Sequence, residues 1–309
     1  MTSTSDRSLK IGVQLPETER VVRWDDYLAM ARLAEEVGFD SLWLGEHLLY
    51  RLQDGSTKGP WECWSLLAAL AATTRRVEIG PLVACTAFHN PALLAKMADT
   101  IDEISGGRLI LGLGAGWHEP EYRAFGFPYD RRVARFEEAF TIIRTLLREG
   151  QIDFDGAYYS ARDCELRPRG PRPNGPPLMI GSSGPRMLTI AAPHVDAWNV
   201  WFADYGNRPN GLPLHFELVD TACRAAGRDP GEIERTCAVL VGLPGGTGRP
   251  SVNPTLSPVP PLAGTPDVIA NGLRAFAEAG ISHVQLVLDP ITVESIAAMA
   301  PVLEILEQR

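Results

Sequence analysis

Eight times along the chain a short, uninterrupted apolar run is followed by a segment with helical spacing, and few architectures accept that rhythm. The runs fall at residues 11–15, 41–45, 77–85, 109–113, 177–180, 195–201, 237–243 and 284–288. Runs this short, with no polar alternation, read as strands covered on both faces, the condition of a parallel sheet in an α/β fold. The segments between them carry helix signals. Residues 24–37 place Tyr27, Leu28, Ala31, Leu33, Ala34 and Val37 at helical spacing and stop at Gly38. Asn90-Pro91 supplies an N-cap and a first-turn proline for a helix over 91–104, and further helices are predicted at 64–73, 132–148, 185–192, 213–226, 266–279 and 293–306. Eight strand–helix units in 309 residues predict a (β/α)8 TIM barrel, a single domain over residues 1–309. An open doubly wound sheet is the alternative this pattern leaves.

Two stretches interrupt the rhythm. Residues 150–176 form an insertion after the fourth unit, in which Ile152-Asp153-Phe154 and Tyr158-Tyr159 flank Asp155-Gly156 as in a hairpin. Residues 244–262 are rich in Gly, Pro and Ser and read as a long mobile loop. Barrels vary function through such loops, so both are expected over the C-terminal mouth, shaping the pocket of a small-molecule substrate.

Composition excludes several function classes. With Asp+Glu at 38 against Lys+Arg at 29, the net charge of -9 argues against nucleic acid as a partner, since phosphate-backbone binders cluster basic residues. The five cysteines, Cys63, Cys85, Cys164, Cys223 and Cys237, form no Cys-x-x-Cys pair and read as small buried residues in a reducing compartment. The polar N-terminus MTSTSDRSLK has no signal-peptide core, and no apolar run reaches the roughly 18 residues of a membrane span, so a cytoplasmic protein with no membrane contact is expected. The six histidines form no His-x-His or similar set, and no metal is expected.

The most suggestive stretch is GRLILGLGAGWHEPEY, residues 107–122, where Gly112, Gly114 and Gly116 alternate at the end of an apolar run and a polar, acidic turn follows. Without a Cβ, such a strand end lets a flat ring or a phosphate lie on the backbone, or only makes room for close packing inside a barrel. A dinucleotide fingerprint is disfavoured, because no acidic residue closes a second strand about twenty positions on.

Four segments in order carry a resemblance: KIGVQLP, AEEVGFDSLWLGEH, HNPALLAKMADTIDEISGGRLILGLGAGW and GSSGPRMLTIAAPHVDAWNVW. Together they resemble the luciferase-like flavin or deazaflavin oxidoreductases across essentially the whole chain. That resemblance implies a (β/α)8 barrel with an insertion and a flavin-type ring at the C-terminal mouth. It implies that Glu46 and His47, closing strand two, form an acid–histidine pair at the ring, with the imidazole in proton transfer. It places an irregular backbone, including a non-proline cis peptide, at Ala84, Cys85 and Thr86. It sets Gly114, Ala115, Gly116 and Trp117 beside the cofactor, with Tyr122 reaching its phosphate or ribityl side. Gly181, Ser182, Ser183 and Gly184 resemble a phosphate cradle, with Arg186 adding charge. Trp198 and Asn199 fall near the same mouth, whereas Trp43, Trp61 and Trp64 read as core.

The sequence also departs from that family. Members that oxidise a sugar phosphate carry an acid directly after the strand-four glycines; here Trp117 stands there, and Glu119 or Glu121 could replace that acid only if the turn folds back. The expected activity is therefore hydride transfer between coenzyme F420 and an organic substrate other than a sugar phosphate. Alternatives are an FMN monooxygenase of the same family using reduced flavin and oxygen, and a barrel that binds a ligand without turnover. Family members are often dimers, which makes a homodimer the expected assembly.

Overall fold

The computed structural model describes residues 7–52, 54–248 and 259–308. Its parallel strands run Lys10–Gln14, Ser41–Leu44, Glu78–Pro81 continued by Ala84–Cys85, Leu111–Gly114, Leu178–Gly181, Ala197–Val200, Glu234–Gly242 and His283–Asp289. The last pairs back onto the first, with Lys10 opposite His283 and Val13 opposite Leu286. The circle closes through the broken third position: Glu78–Pro81 pairs with strand two, Ala84–Cys85 pairs with strand four, and Ile79 bridges Leu109. This is the TIM barrel the alternation predicts.

Because side chains alternate along a strand, each strand serves two cores. The outward residues, among them Ile11, Val13, Leu42, Ile79, Leu113 and Ile180, are buried beneath the helices. Each such side chain contributes on the order of 1.5–3 kcal/mol of burial. The inward Trp43, Ile110, Met179 and Ala197, with Leu82, form a separate cluster in the lumen. Among the polar groups in the lumen, the Trp43 indole donates to Ser41 Oγ at 2.7 Å, which meets His283 Nε2 at 2.7 Å. Burial and the nearby Lys10 charge hold that imidazole neutral, with its pKa lowered to about 3.

The helix ends follow the sequence signals. Trp24–Val37 stops at Gly38 in the left-handed region, and Asn90 caps Pro91–Ser105 by accepting from the amides of Ala92 and Leu93. Helices Cys63–Thr73, Arg132–Glu149, Pro185–Ala191, Pro213–Ala225 and Pro266–Glu278 cover the barrel.

The structure corrects four expectations. The third strand is not continuous over 77–85: it breaks at Leu82-Val83, which carries the non-proline cis bond, while Ala84–Cys85 is regular strand and Thr86–Phe88 a 3-10 turn. The acidic turn after strand four is a helix, Glu119–Phe125. The final helix is two, Val293–Ala298 and Ala300–Glu307, divided where Pro301 opens the second. In the insertion, strands Gln151–Asp155 and Ser160–Glu165 enclose a turn that contains Tyr158 and Tyr159.

The hairpin lies along helix Arg132–Glu149, where the Glu138 carboxylate accepts from the amides of Ala157, Tyr158 and Tyr159 and Arg135 stacks on the Tyr158 ring. The long loop is anchored at both described ends. Asp289 accepts from the amides of Thr247 and Gly248, and Asn207 donates to the carbonyls of Leu240 and Pro260. Its residues 249–258 lie outside the described residues.

Candidate active site

The floor of the mouth explains the alternating glycines. A Cβ at Gly112, Gly114 or Gly181 would fall 2.9, 2.8 or 2.8 Å from a Val83 methyl. The three glycines thus form a socket for the valine that follows the break in strand three, so close packing accounts for Gly112 and Gly114. Val83 and Trp201 pack on the lumen cluster of Trp43, Leu82, Ile110, Met179 and Ala197 and give the floor an apolar surface.

At the end of strand two, alternation separates Glu46 from His47. Glu46 is buried, and its carboxylate accepts from Trp64 Nε1 at 2.7 Å, His89 Nε2 at 2.6 Å and the Cys85 amide at 2.6 Å. With those donors in place it joins strand two, helix Cys63–Thr73 and the end of strand three, and it does not pair with His47. Burial disfavours the His89 imidazolium, but the bond to Glu46 and the Glu46 charge outweigh that and raise its pKa.

His47 turns the other way. Its Nδ1 lies 2.9 Å from Glu121 Oε1, and the second Glu121 oxygen accepts from the Leu48 amide at 2.8 Å. Helix Glu119–Phe125 is therefore the element that folds the turn back and delivers a buried acid to the histidine. Glu17, just past strand one, stands 3.9 Å from His47 Nε2 and accepts from the Tyr50 hydroxyl at 2.9 Å and from Gln14 Nε2 at 3.3 Å. Burial lowers the His47 pKa, but the Glu121 hydrogen bond and the charges of Glu17, Glu121 and Glu46 more than offset it, and the net shift is upward. An ionised carboxylate only accepts, so Nδ1 carries hydrogen toward Glu121. Nε2 has no hydrogen-bond partner among the described residues, and the side chain is 15% exposed. The arrangement can hold a proton on Nε2 and release it to an acceptor in the mouth.

The other sequence-predicted site residues divide into those at the surface of the mouth and those beneath it. Tyr122 is fully buried, its hydroxyl bonded to the Ala115 carbonyl at 2.7 Å and to Cys85 Sγ at 3.0 Å. It reaches no ribityl or phosphate position, a correction that follows from helix Glu119–Phe125 turning its ring inward. Gly116 has φ +71°, and a Cβ there would lie 1.9 Å from the Tyr122 hydroxyl, so this turn accepts only glycine. Burial pushes the Cys85 thiol up to about 12, which leaves it a packing group. Ala84 and Thr86 are buried, Thr86 Oγ1 donating to the Gly114 carbonyl at 3.3 Å. Trp117, by contrast, is 39% exposed and meets the His47 ring edge-on at 5.7 Å.

The loop after strand five is braced from outside. The Trp198 indole donates to the Ser182 carbonyl at 2.8 Å, the Gly184 amide donates to Ser182 Oγ at 3.2 Å, and Ser183 Oγ meets His215 Nδ1 at 3.0 Å. Asn199 is buried, donating to Thr236 Oγ1 and Gln285 Oε1 at 2.8 and 2.7 Å. Arg186 points away from the loop to Glu137, at 3.1 Å. Sequence reasoning missed Glu17, Tyr50, His89, Val83 and His215; the first could have been found as the acid directly after the first strand's Leu15-Pro16 stop.

Two shallow depressions, of about 390 and 580 Å³, lie elsewhere, lined by Pro193, Arg228 and Glu232 and by Arg32, Thr74 and Arg108. Both are open and polar and sit among turns at the barrel's opposite end, and Arg108 is already bonded to the carbonyls of Ala71, Thr74 and Val77.

A model of the luciferase-like monooxygenase family matches residues 8–243. The chain is 30% identical to a 5,10-methylenetetrahydromethanopterin reductase of Archaeoglobus fulgidus over 71% of its own length and 60% of the relative's. It is 37% identical to a pyrimidine monooxygenase RutA of Cronobacter sakazakii, over 55% of this chain and 50% of that one. The matched part thus spans half to three-fifths of these relatives. Among solved structures, an F420-dependent secondary alcohol dehydrogenase in complex with an F420-acetone adduct superposes with a TM-score of 0.80, at 22% identity, covering 95% of this chain and 98% of the other. At that identity the likeness concerns the fold.

Proposed function

The chain belongs to the luciferase-like monooxygenase family, and from that premise we propose that it is an oxidoreductase moving a hydride between coenzyme F420 and a small carbonyl compound or alcohol. One observation carries this reading: at an apolar floor, an imidazole fixed by Glu121 through Nδ1, its Nε2 without a hydrogen bond among the described residues and 3.9 Å from Glu17, with its pKa raised. The residues fit a flat ring. Val83 in its three-glycine socket presents methyl groups where any larger neighbour would obstruct, and the loop of Gly181, Ser182, Ser183 and Gly184 with His215 would hold the phosphate.

When bound, the deazaflavin supplies or takes up the hydride. In the reducing direction His47 Nε2 would give its proton to the oxygen of the substrate carbonyl, and the product would be an alcohol. In the oxidising direction the neutral imidazole takes the alcohol proton. Glu121 holds the ring and favours the protonated form in both. The apolar floor keeps bulk water from the reacting carbon, where the electrostatic effect of His47 is strengthened.

The test is a titration of the purified protein with F420 and, separately, with FMN, followed by tryptophan fluorescence. Micromolar binding of F420 alone is expected. Preference for FMN would replace this reading with a reduced-flavin monooxygenase, one matched relative being named a pyrimidine monooxygenase, and binding of neither would leave a barrel without redox chemistry.

A further inference from the structure

The histidine that braces the loop after strand five is an ionisable group that the proton transfer at His47 does not use. His215 sits in the first turn of helix Pro213–Ala225, half-buried, with its ring stacked on Trp198 at 6.3 Å. Both ring nitrogens are engaged: Nε2 lies 3.3 Å from the Asp204 carbonyl oxygen and Nδ1 lies 3.0 Å from Ser183 Oγ. Together these contacts fix where hydrogen stands. A carbonyl oxygen only accepts, so Nε2 carries hydrogen. In the neutral ring Nδ1 is then bare and accepts from the Ser183 hydroxyl.

That neutral form suits an anion badly. A serine hydroxyl has one hydrogen, and here it is spent on Nδ1, so Ser183 has only lone pairs left to offer. Turning the hydroxyl to a phosphate oxygen would leave Nδ1 and Oγ facing each other as two acceptors. One proton on Nδ1 resolves both contacts: the imidazolium donates to Oγ, and the Ser183 hydrogen is released to the anion. Imidazole is the side chain whose charge changes near neutrality, so a small bias is enough. Asp204, on the loop after strand six, supplies a charge that acts on the ring; burial raises its pKa, and attraction to the His215 charge works the other way. The remaining charged groups on the neighbouring elements are otherwise engaged or exposed. Arg186 pairs with Glu137, Asp220 with Arg224 and Arg235, and Glu217 is exposed.

Resting on the phosphate position proposed above, we infer that Ser183 and His215 form a proton-coupled anion contact, in which the anionic group of the cofactor is bound together with one proton on His215 Nδ1. Ser183 touches the anion, and His215 acts through Ser183 as a positioning residue. The coupling is reciprocal: a bound anion strengthens the hold on the proton, and affinity is complete at acid pH and declines as rising pH removes that proton from the complex.

The test uses the intact protein and sulfate, a dianion whose own charge is constant over this range. It follows the ring-nitrogen NMR signals of His215 in 15N-labelled protein, identified by their loss in His215→Gln. Near pH 7.5 the free wild-type ring should carry hydrogen on Nε2 alone, and saturation with sulfate should bring the signature of a ring protonated on both nitrogens. Sulfate affinity should fall about 10-fold per pH unit on the alkaline side, the slope of one linked proton. His215→Gln should bind sulfate about 10-fold more weakly than wild type near pH 6 and show no such slope, in line with the loss of a charge-assisted contact. Ser183→Ala keeps the imidazole and removes the hydroxyl between ring and anion, so sulfate should leave its His215 signals unchanged. The inference is overturned if wild type does not bind sulfate, if it binds sulfate with His215 still neutral, or if the pH slope survives in His215→Gln. Titration with the cofactors keeps the two readings apart. Uptake of neither F420 nor FMN would defeat the hydride-transfer reading alone, whereas a cofactor that binds while His215 stays neutral would defeat the proton-coupled contact alone.

Discussion

Two glutamate–histidine pairs stand at the mouth of this barrel, Glu46 with His89 and Glu121 with His47, and they differ in what gathers around the histidine. Glu46 Oε1 is shared by the His89 imidazole and the Trp64 indole, while Oε2 takes the Cys85 amide. Each pair spends both carboxylate oxygens and leaves one ring nitrogen without a hydrogen bond among the described residues. His47 Nε2, however, has a second acid, Glu17, at 3.9 Å and its ring meets the open Trp117 edge-on, whereas the His89 ring meets the buried Trp64. Both histidines have raised pKa values for the same reason, a buried carboxylate partner. A perturbed pKa therefore does not separate a tie from a proton donor; the second acid near Nε2 and the contact with the uncovered Trp117 ring are what set His47 apart.

The sharpest way to break this comparison is His47→Gln, which keeps an amide to donate to Glu121 but has no proton to give. Turnover should fall by roughly 10²–10⁴-fold, the range for loss of a positioned acid–base group, and cofactor affinity should be unchanged in a fluorescence titration. An equal loss of turnover in His89→Gln would erase the distinction between the pairs.

Glu46→Ala reverses the expected readout. It strips three buried donors of their acceptor, and urea denaturation should show a loss of about 3–5 kcal/mol, the cost of removing one partner from a buried ionic contact. Glu46→Gln, which restores an acceptor oxygen without the charge, should recover part of it.

Glu121→Gln sharpens the comparison through pH. In wild type the rate of carbonyl reduction should hold at low pH and decline as pH rises through the raised His47 pKa, because the donor is then lost. Without the Glu121 charge that decline should move down toward the ordinary value near 6.5. Stability follows the same sign: the raised pKa contributes stability that is complete below the unfolded value and disappears as pH rises through the folded one, and the variant should lack that slope. A rate profile that does not move in the variant would mean that His47 is not the proton donor.

How much of this was legible in the sequence depends on how local each feature is. The barrel was, since a strand buried on both faces shows itself in any short apolar run, and Gly38 and Asn90-Pro91 mark helix ends from adjacent residues alone. The break in strand three had a signal, Gly80-Pro81, that the apolar character of 77–85 masked. The role of Gly112 and Gly114 had none, because the side chain filling their space, Val83, comes from another strand. Glu46 and His47 are neighbours in the chain and so read as one pair. Their true partners lie 43 and 74 positions away, and only the alternation of the strand end and the fold of helix Glu119–Phe125 select them.

The smallest effect expected tests whether the Glu46 pair is purely a tie. His89→Gln replaces one of two donors on Glu46 Oε1 with a shorter amide, while Trp64 and the Cys85 amide remain. The loss should be about 1–2 kcal/mol by urea denaturation, in the range for one hydrogen bond to a charged acceptor. His89 gains its proton through Glu46, so the difference between wild type and variant should be largest below pH 6.5 and shrink as pH rises through the raised folded value. Turnover should stay within about twofold, because His89 acts on Glu46, a buried carboxylate that the Trp64 indole and the Cys85 amide continue to hold. A stability difference that grows with pH instead would show that the imidazole binds Glu46 as a neutral ring, and the two pairs would then differ in charge as well as in place.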